Sequence, residues 1–305
     1  MHGILLIDKA SGMTSHDVVR RLRRLLGLKR IGHTGTLDPL ATGVLPVAVG
    51  EGTRLVEFLM EGDKEYLATL RLGVSTTTQD AQGDVLQERA WEGIDRIAVE
   101  AAAAQLRGDI LQVPPMYSAL KRDGVALYRL ARQGVEVERP PRPITIYRLE
   151  VLRFEAPEVD IAVTCSKGTY IRTLAHDLGE ALGCGAHLTA LRRTRSGSFA
   201  IAGCLSLESV EAWPAGEPLP LLGPRAALPE LAQVEVDATA AARLANGIPP
   251  ELGQCHSPVP LQAGQRVLLE VQGRVAGIAR FAPLREQEKR GDFELLRVFG
   301  RPGIW

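Results

Sequence analysis

Five prolines, at 214, 218, 220, 224 and 229, fall between Trp213 and Pro229. Proline lacks a backbone donor and has a locked φ, so neither a helix nor a central strand can run through such a stretch. The chain therefore divides here, and 305 residues are enough for one sizeable domain and a smaller one. The expected division is 1–229 and 230–305. A second proline-bracketed stretch lies inside the first part: Pro114 and Pro115 precede it and Pro140, Pro141 and Pro143 close it. That marks about 114–143 as an inserted, helix-containing loop.

Hydrophobic periodicity sets the elements between these breaks. The apolar run Ile4 to Ile7 reads as a strand. Ser15 is then a plausible N-cap for a helix whose apolar positions are Val18, Val19, Leu22, Leu25 and Leu26, closed by Gly27. Lys64 to Leu72 alternates, with Tyr66, Ala68, Leu70 and Leu72 on one face and Leu67, Thr69 and Arg71 on the other. Ala98 to Leu106 is a helix candidate. Ile144 to Phe154 and Val159 to Cys165 form two strands around a turn at Pro157, followed by a helix from about Thr169 to Leu182 and a strand from His187 to Arg193. Beyond the proline stretch, a short helix at Ala238 to Asn246 precedes strand-like runs Val267 to Val271, Val275 to Phe281 and Phe293 to Val298, the order of a small, mostly β module.

Charge is balanced, 36 Lys plus Arg against 36 Asp plus Glu, so the overall field would not hold a polyanion. The distribution is uneven. Arg20, Arg21, Arg23, Arg24, Lys29 and Arg30 form one basic group, Arg139, Arg142, Arg148 and Arg153 a second, and Arg192, Arg193 and Arg195 a third. Such clusters suit a one-sided anionic partner, and equally suit solvated faces. Cys165, Cys184, Cys204 and Cys255 are scattered, with no CxxC pair and no histidine at zinc-ligand spacing, so neither a metal site nor a disulfide framework is expected. The apolar run near the N-terminus is too brief for a signal or a membrane span. A cytoplasmic protein without membrane attachment is the simplest expectation.

One loop concentrates the chemistry. In Gly32 to Gly43, GHTGTLDPLATG, the glycines permit tight backbone paths and Pro39 constrains the residue after Asp38. The residues alone leave Asp38 as either a turn or N-cap aspartate or a presented catalytic carboxylate. A phosphate-cradling loop would need a Gly-Lys-Ser/Thr end, which is missing.

The full twelve-residue string is similar to the catalytic signature of the TruB family of tRNA pseudouridine synthases. The resemblance continues in Gly3 to Gly12 (GILLIDKASG), Lys64 to Tyr66 (KEY), the pattern SALKxxGxxLY from Ser118 to Tyr128, and Gly168 to Gly179 (GTYIRTLAHDLG). It covers residues 2 to 210, and more weakly the C-terminal part. Members usually have proline after the lysine of the opening motif, where this chain has Ala10. The resemblance implies an α+β pseudouridine synthase fold, a mixed, mostly antiparallel central sheet flanked by helices and loops, with a small C-terminal β-rich PUA-like domain that binds RNA. It implies Asp38 as catalytic carboxylate, Arg172 as its ion-pair partner and Tyr66 stacked on the target base with its hydroxyl near C5. It further implies His33 against displaced RNA, Asp80, Tyr170 and Leu191 lining the base pocket, and Lys9 supporting the site. The expected substrate is the uridine at position 55 in the T arm of tRNA, turned out of the stack. No metal or cofactor is called for, and the protein is expected to act as a monomer. Two alternatives remain: an RNA-binding or tRNA-folding protein without catalysis, and a base-releasing hydrolase, which would want a second carboxylate.

Overall fold

The computed structural model describes residues 1–283 and 291–299. Its first part runs β1 (Gly3–Lys9), α1 (Ser15–Leu26), β2 (Ile31–His33), β3 (Thr42–Val49), α2 (Val56–Leu59) and β4 (Lys64–Leu72). A hairpin of β5 (Val74–Thr76) and β6 (Val85–Glu88) leads to α3 (Arg96–Gln105) and β7 (Gly108–Gln112). The proline-bracketed insertion holds β8 (Lys121–Arg122), β9 (Val125–Ala126) and α4 (Leu127–Arg132). There follow β10 (Arg142–Glu155), β11 (Glu158–Cys165), α5 (Ile171–Ala181), β12 (Ala186–Ser196), β13 (Phe199–Ala200), α6 (Leu207–Glu211) and α7 (Pro224–Ala227). The last part has β14 (Ala232–Val236), α8 (Ala238–Ala245), β15 (Cys255–His256), β16 (Arg266–Val271), β17 (Arg274–Phe281) and β18 (Phe293–Val298).

The central sheet has the order β1-β3-β12-β4-β11-β10-β7, with β2 also on β3 and β13 on β12. Every pairing in it is antiparallel except β3 with β12. Helices α1, α3, α5 and α6 cover one face and bury Val18, Leu22, Val99, Leu174, Leu178 and Val210 against Tyr66, Ala68, Leu70 and Leu72 of β4. Alternation in β4 thus has the predicted sense, with Leu67 exposed on the open face. Strand β1 differs because it is buried on both sides. Leu5 and Ile7 join the helix-covered core, whereas Ile4 and Leu6 join a second cluster with Phe58, Ala227, Leu268 and Ile278. A strand with two covered faces reads as a continuous apolar run, as Ile4 to Ile7 does.

The C-terminal sheet, ordered β15-β14-β16-β17-β18, has its own core around Val234, Leu244, Leu269 and Phe293. Its strand β16 is also two-sided: Val267 and Leu269 face that core while Leu268 faces the central sheet. Arg225 of α7 adds a tie to the buried Glu270 of β16. Residues 284–290 and 300–305 of the expected C-terminal module lie outside the described residues.

Local differences from the sequence expectation have physical causes. Thr14, not Ser15, caps α1: its hydroxyl accepts from the Asp17 amide while the Asp17 carboxylate accepts from the Thr14 amide, a capping box. Gly27 closes the helix in the left-handed region, φ 64°. Strand β3 escapes the reading because Pro46 sits within it, and proline argues against a central strand. Its carbonyl accepts from Thr34 on the β2 side, where β2 has already ended at His33, so the missing donor interrupts no ladder.

Candidate active site

The loop that carries Asp38 joins β2 to β3 and is fastened from several directions. Ser15, freed from capping, accepts from the Leu37 amide at 2.8 Å and donates to the Leu37 carbonyl at 3.2 Å. Lys9 is wholly buried; its Nζ donates to the carbonyls of Ala10 at 2.8 Å and Met13 at 2.7 Å and lies 3.5 Å from that of Pro39. The Gly12 amide also donates to the Pro39 carbonyl, at 2.8 Å. Both neighbours of Asp38 are therefore held through their backbone, and Leu37 is sunk in the core. The loop ends at Gly43, with φ 102°, where an added Cβ would fall 2.1 Å from the Arg193 carbonyl oxygen. Glycine is required there by both backbone and space.

Arg172 stands in the first turn of α5 with its side chain 4% exposed. Its Nε lies 2.9 Å from an Asp38 carboxylate oxygen and 3.8 Å from one of Asp80. The rest of the guanidinium is tied down by the carbonyls of Thr78, at 2.9 Å, and Tyr117, at 2.7 Å. Asp80 is buried, accepting from the Thr78 hydroxyl at 2.5 Å and the Gln82 amide at 3.0 Å. The Asp38 side chain keeps 36% of its surface open, so the cation is enclosed while the carboxylate it faces is reachable. Burial pushes Asp38 above the ordinary carboxylate range and Asp80 adds to this; Arg172 and Lys9 oppose it.

Tyr66 projects from the helix-covered face of β4, 9% exposed, and burial raises its phenol, with Arg193 opposing and Asp38 adding to the rise. Tyr170 is the N-cap residue of α5. Its amide donates to the Gln112 side chain at 2.8 Å and its carbonyl accepts from the same side chain at 3.1 Å, so β7 fixes the start of the helix that bears Arg172. Leu191, on β12, packs in the same core as Tyr66. His33 closes β2 with Nδ1 buried and without a hydrogen-bond partner, and burial together with Arg193 lowers its pKa, which favours neutral imidazole. Asp38, Arg172 and Asp80 thus meet directly. Lys9, Tyr66 and Tyr170 sit within the electrostatic reach of Asp38, and His33 shares with Lys9 and Tyr66 the field of Arg193.

Sequence reasoning passed over several of these supports. Ser15 and Gln112 carried no signal beyond their residue type, because the groups they hold are backbone atoms remote in the chain. Arg193 was counted among surface arginines, yet it is 2% exposed. The basic clusters are also less open to a partner than their spacing suggested. Arg20 pairs with Asp17, Arg21 with Glu211, Arg30 with Glu51, Arg139 with Glu136, Arg148 with Glu150, Arg153 with Asp160, Arg192 with Asp8 and Arg195 with Glu65. Most of that charge is matched within the protein.

Comparison with known proteins bears on the same residues. Residues 23–171 match the family described as "TruB family pseudouridylate synthase (N terminal domain)", and 172–218 match "tRNA pseudouridylate synthase B C-terminal domain". A tRNA pseudouridine synthase B of Syntrophotalea carbinolica is 50% identical, over 99% of this chain and 99% of its own. One of Geobacter sulfurreducens is 46% identical, over 98% of this chain and all of its own length (100%). Among solved structures, an H/ACA RNP bound to a substrate RNA containing 2′-deoxyuridine aligns with TM-score 0.74 and 26% identity, covering 99% of this chain and 88% of that one. A Cbf5-Nop10-Gar1 complex aligns with TM-score 0.74 and 28% identity, over 97% and 84%. With half of its residues identical to a relative matched end to end, and with the family model covering residues 23–171, this chain belongs to the TruB family of pseudouridylate synthases.

Proposed function

We propose that the protein isomerises uridine to pseudouridine in tRNA, at position 55 in the T arm, with Asp38 as the catalytic carboxylate acting on a base turned out of the stack. The observation that carries this reading is the partly open Asp38 carboxylate backed by an enclosed Arg172 at 2.9 Å. The relatives' name, tRNA pseudouridine synthase B, supports tRNA as the substrate.

The reaction breaks the bond from N1 to the anomeric carbon, turns the base and joins C5 to the same carbon. The C5 proton leaves to water and N1 takes one up, so atoms and charge balance without a group donor or redox partner. The ion pair with Arg172 favours an ionised Asp38 against the effect of burial, giving a charged group where positive character develops on the sugar. Asp80 does not supply the second carboxylate of a hydrolase, since it is buried and already accepts from Thr78 and Gln82. Tyr66 stacks on the base with its hydroxyl toward C5, Tyr170 and Leu191 line the pocket, and His33 meets the RNA around the vacated position. Lys9 holds the loop. Residues 1–229 form the catalytic domain and 230–305 a PUA-like RNA-binding domain, in a cytoplasmic monomer.

Nucleoside analysis of treated tRNA tests the reading. One pseudouridine per tRNA is expected, lost when the T-arm uridine is replaced by cytidine. Free uracil would point to a hydrolase instead, and unchanged uridine to an RNA-binding protein without catalysis.

A further inference from the structure

Among the described residues Arg193 is the largest fully buried side chain, and it forms no ion pair there. Burying an unpaired cation is costly, so a residue that only filled this space would be better apolar. Its guanidinium is aimed at specific groups: Nε donates to the Val44 carbonyl at 2.8 Å and Nη2 to the Gly35 carbonyl at 3.2 Å, three residues before Asp38. Strand register sets it opposite Tyr66 of β4 on one side and opposite Gly43 of β3 on the other. Cross-strand partners share a face with Cβ atoms about 5 Å apart, and Gly43 contributes no side chain to crowd it. The flanking Arg192 and Arg195 take the open side and pair with Asp8 and Glu65.

We propose that Arg193 is a positioning residue for the isomerisation: it holds the Gly35 end of the Asp38 loop to β3 and gives the Tyr66 oxygen a fixed positive neighbour. This rests on the reading that Tyr66 faces C5 of the base. In that step the Tyr66 phenolate takes the C5 proton, the C–H electron pair restores the C5–C6 double bond, and the phenol returns the proton to water. The titratable and charged groups around Tyr66 and Arg193 are Lys9, His33, Asp38, Lys64, Cys165 and Cys204. Asp38 and Cys165 push the phenol up, in the same direction as burial. Lys9 and Lys64 are themselves brought down to about 8 by burial, whereas a guanidinium keeps its proton at any working pH.

The test titrates phenolate absorbance in wild type, Arg193→Gln and Arg193→Lys, each measured against its own Tyr66→Phe counterpart so that Tyr66 alone is read. Arg193→Gln should move the Tyr66 midpoint up by about one pH unit or more, and Arg193→Lys should leave it within about half a unit. Single-turnover release of tritium from C5-labelled tRNA should fall about tenfold or more in the glutamine variant and be partly rescued by lysine. Equal midpoints in wild type and the glutamine variant, or equal shifts in both variants, would overturn the proposal. Should the glutamine variant not fold, the lysine variant decides: an unmoved midpoint supports the proposal and a shift of a unit overturns it. Wild-type protein that releases no tritium overturns the isomerase reading and leaves the titration to judge Arg193.

Discussion

Asp38 is under opposed influences whose balance has a measurable sign. Burial and Asp80 raise its pKa; Arg172 and Lys9 lower it, and the net shift is upward. In the proposed reaction the ionised form is the working one, so turnover should fall as pH drops through this raised value. Folding follows the same linkage with the opposite benefit. The native state holds the Asp38 proton more tightly than the unfolded chain, so this group costs stability as pH rises from the ordinary carboxylate range through the raised value. Arg172→Gln removes the main opposing charge and should move the acid limb of single-turnover tritium release to higher pH, with a loss of about a hundredfold or more in rate. An unmoved limb in a folded variant would separate Arg172 from Asp38. At this scale the motif residues were legible because Asp38, Tyr66 and Arg172 lie in strings that resemble the family. Arg193 was not, because in a run of arginines only the strand register determines which one turns inward, and a shift of one residue exchanges the faces.

Adjacent hydroxyls at the start of α1 show how an element's end is shared between stability and the site. Thr14 closes a capping box, so Thr14→Ala should cost about 1 kcal/mol in urea denaturation and leave turnover close to wild type. Ser15 instead grips the Leu37 backbone in both directions. Ser15→Ala should therefore lower the single-turnover rate more than Thr14→Ala does, since it loosens the residue before Asp38; the reverse order would contradict this division of labour. Both residues are good cappers by type, and the choice between them depends on where the β2–β3 loop lies, which local pattern does not carry. Most other element boundaries moved by a few residues, as with α3, which begins at Arg96 because Asp95 caps it. Strand β3 was hidden by Pro46, whose tolerance depends on β2 ending at His33.

At the scale of the molecule, the proline stretch lies between β13 of the central sheet and β14 of the C-terminal one, and nothing in it reveals that the two sheets share a core. Ile4, Leu6, Val44 and Ala48 of the central sheet pack with Leu268, Val275 and Ile278 of the C-terminal one. Contacts so distant in sequence leave no periodic trace in either segment. Leu268→Ala should cost about 2–5 kcal/mol and lower a single calorimetric transition for the whole chain. Two separate transitions, with only one displaced, would show that the sheets unfold independently. This joint fold holds Asp38 reachable beside an enclosed Arg172, and the account stands on what that carboxylate does. The most direct test is tritium release from C5-labelled tRNA by wild type and Asp38→Asn, with tRNA affinity measured alongside. The account predicts release by wild type, none above background by Asp38→Asn, and affinities within about tenfold of each other; release by Asp38→Asn at a rate near wild type would contradict it.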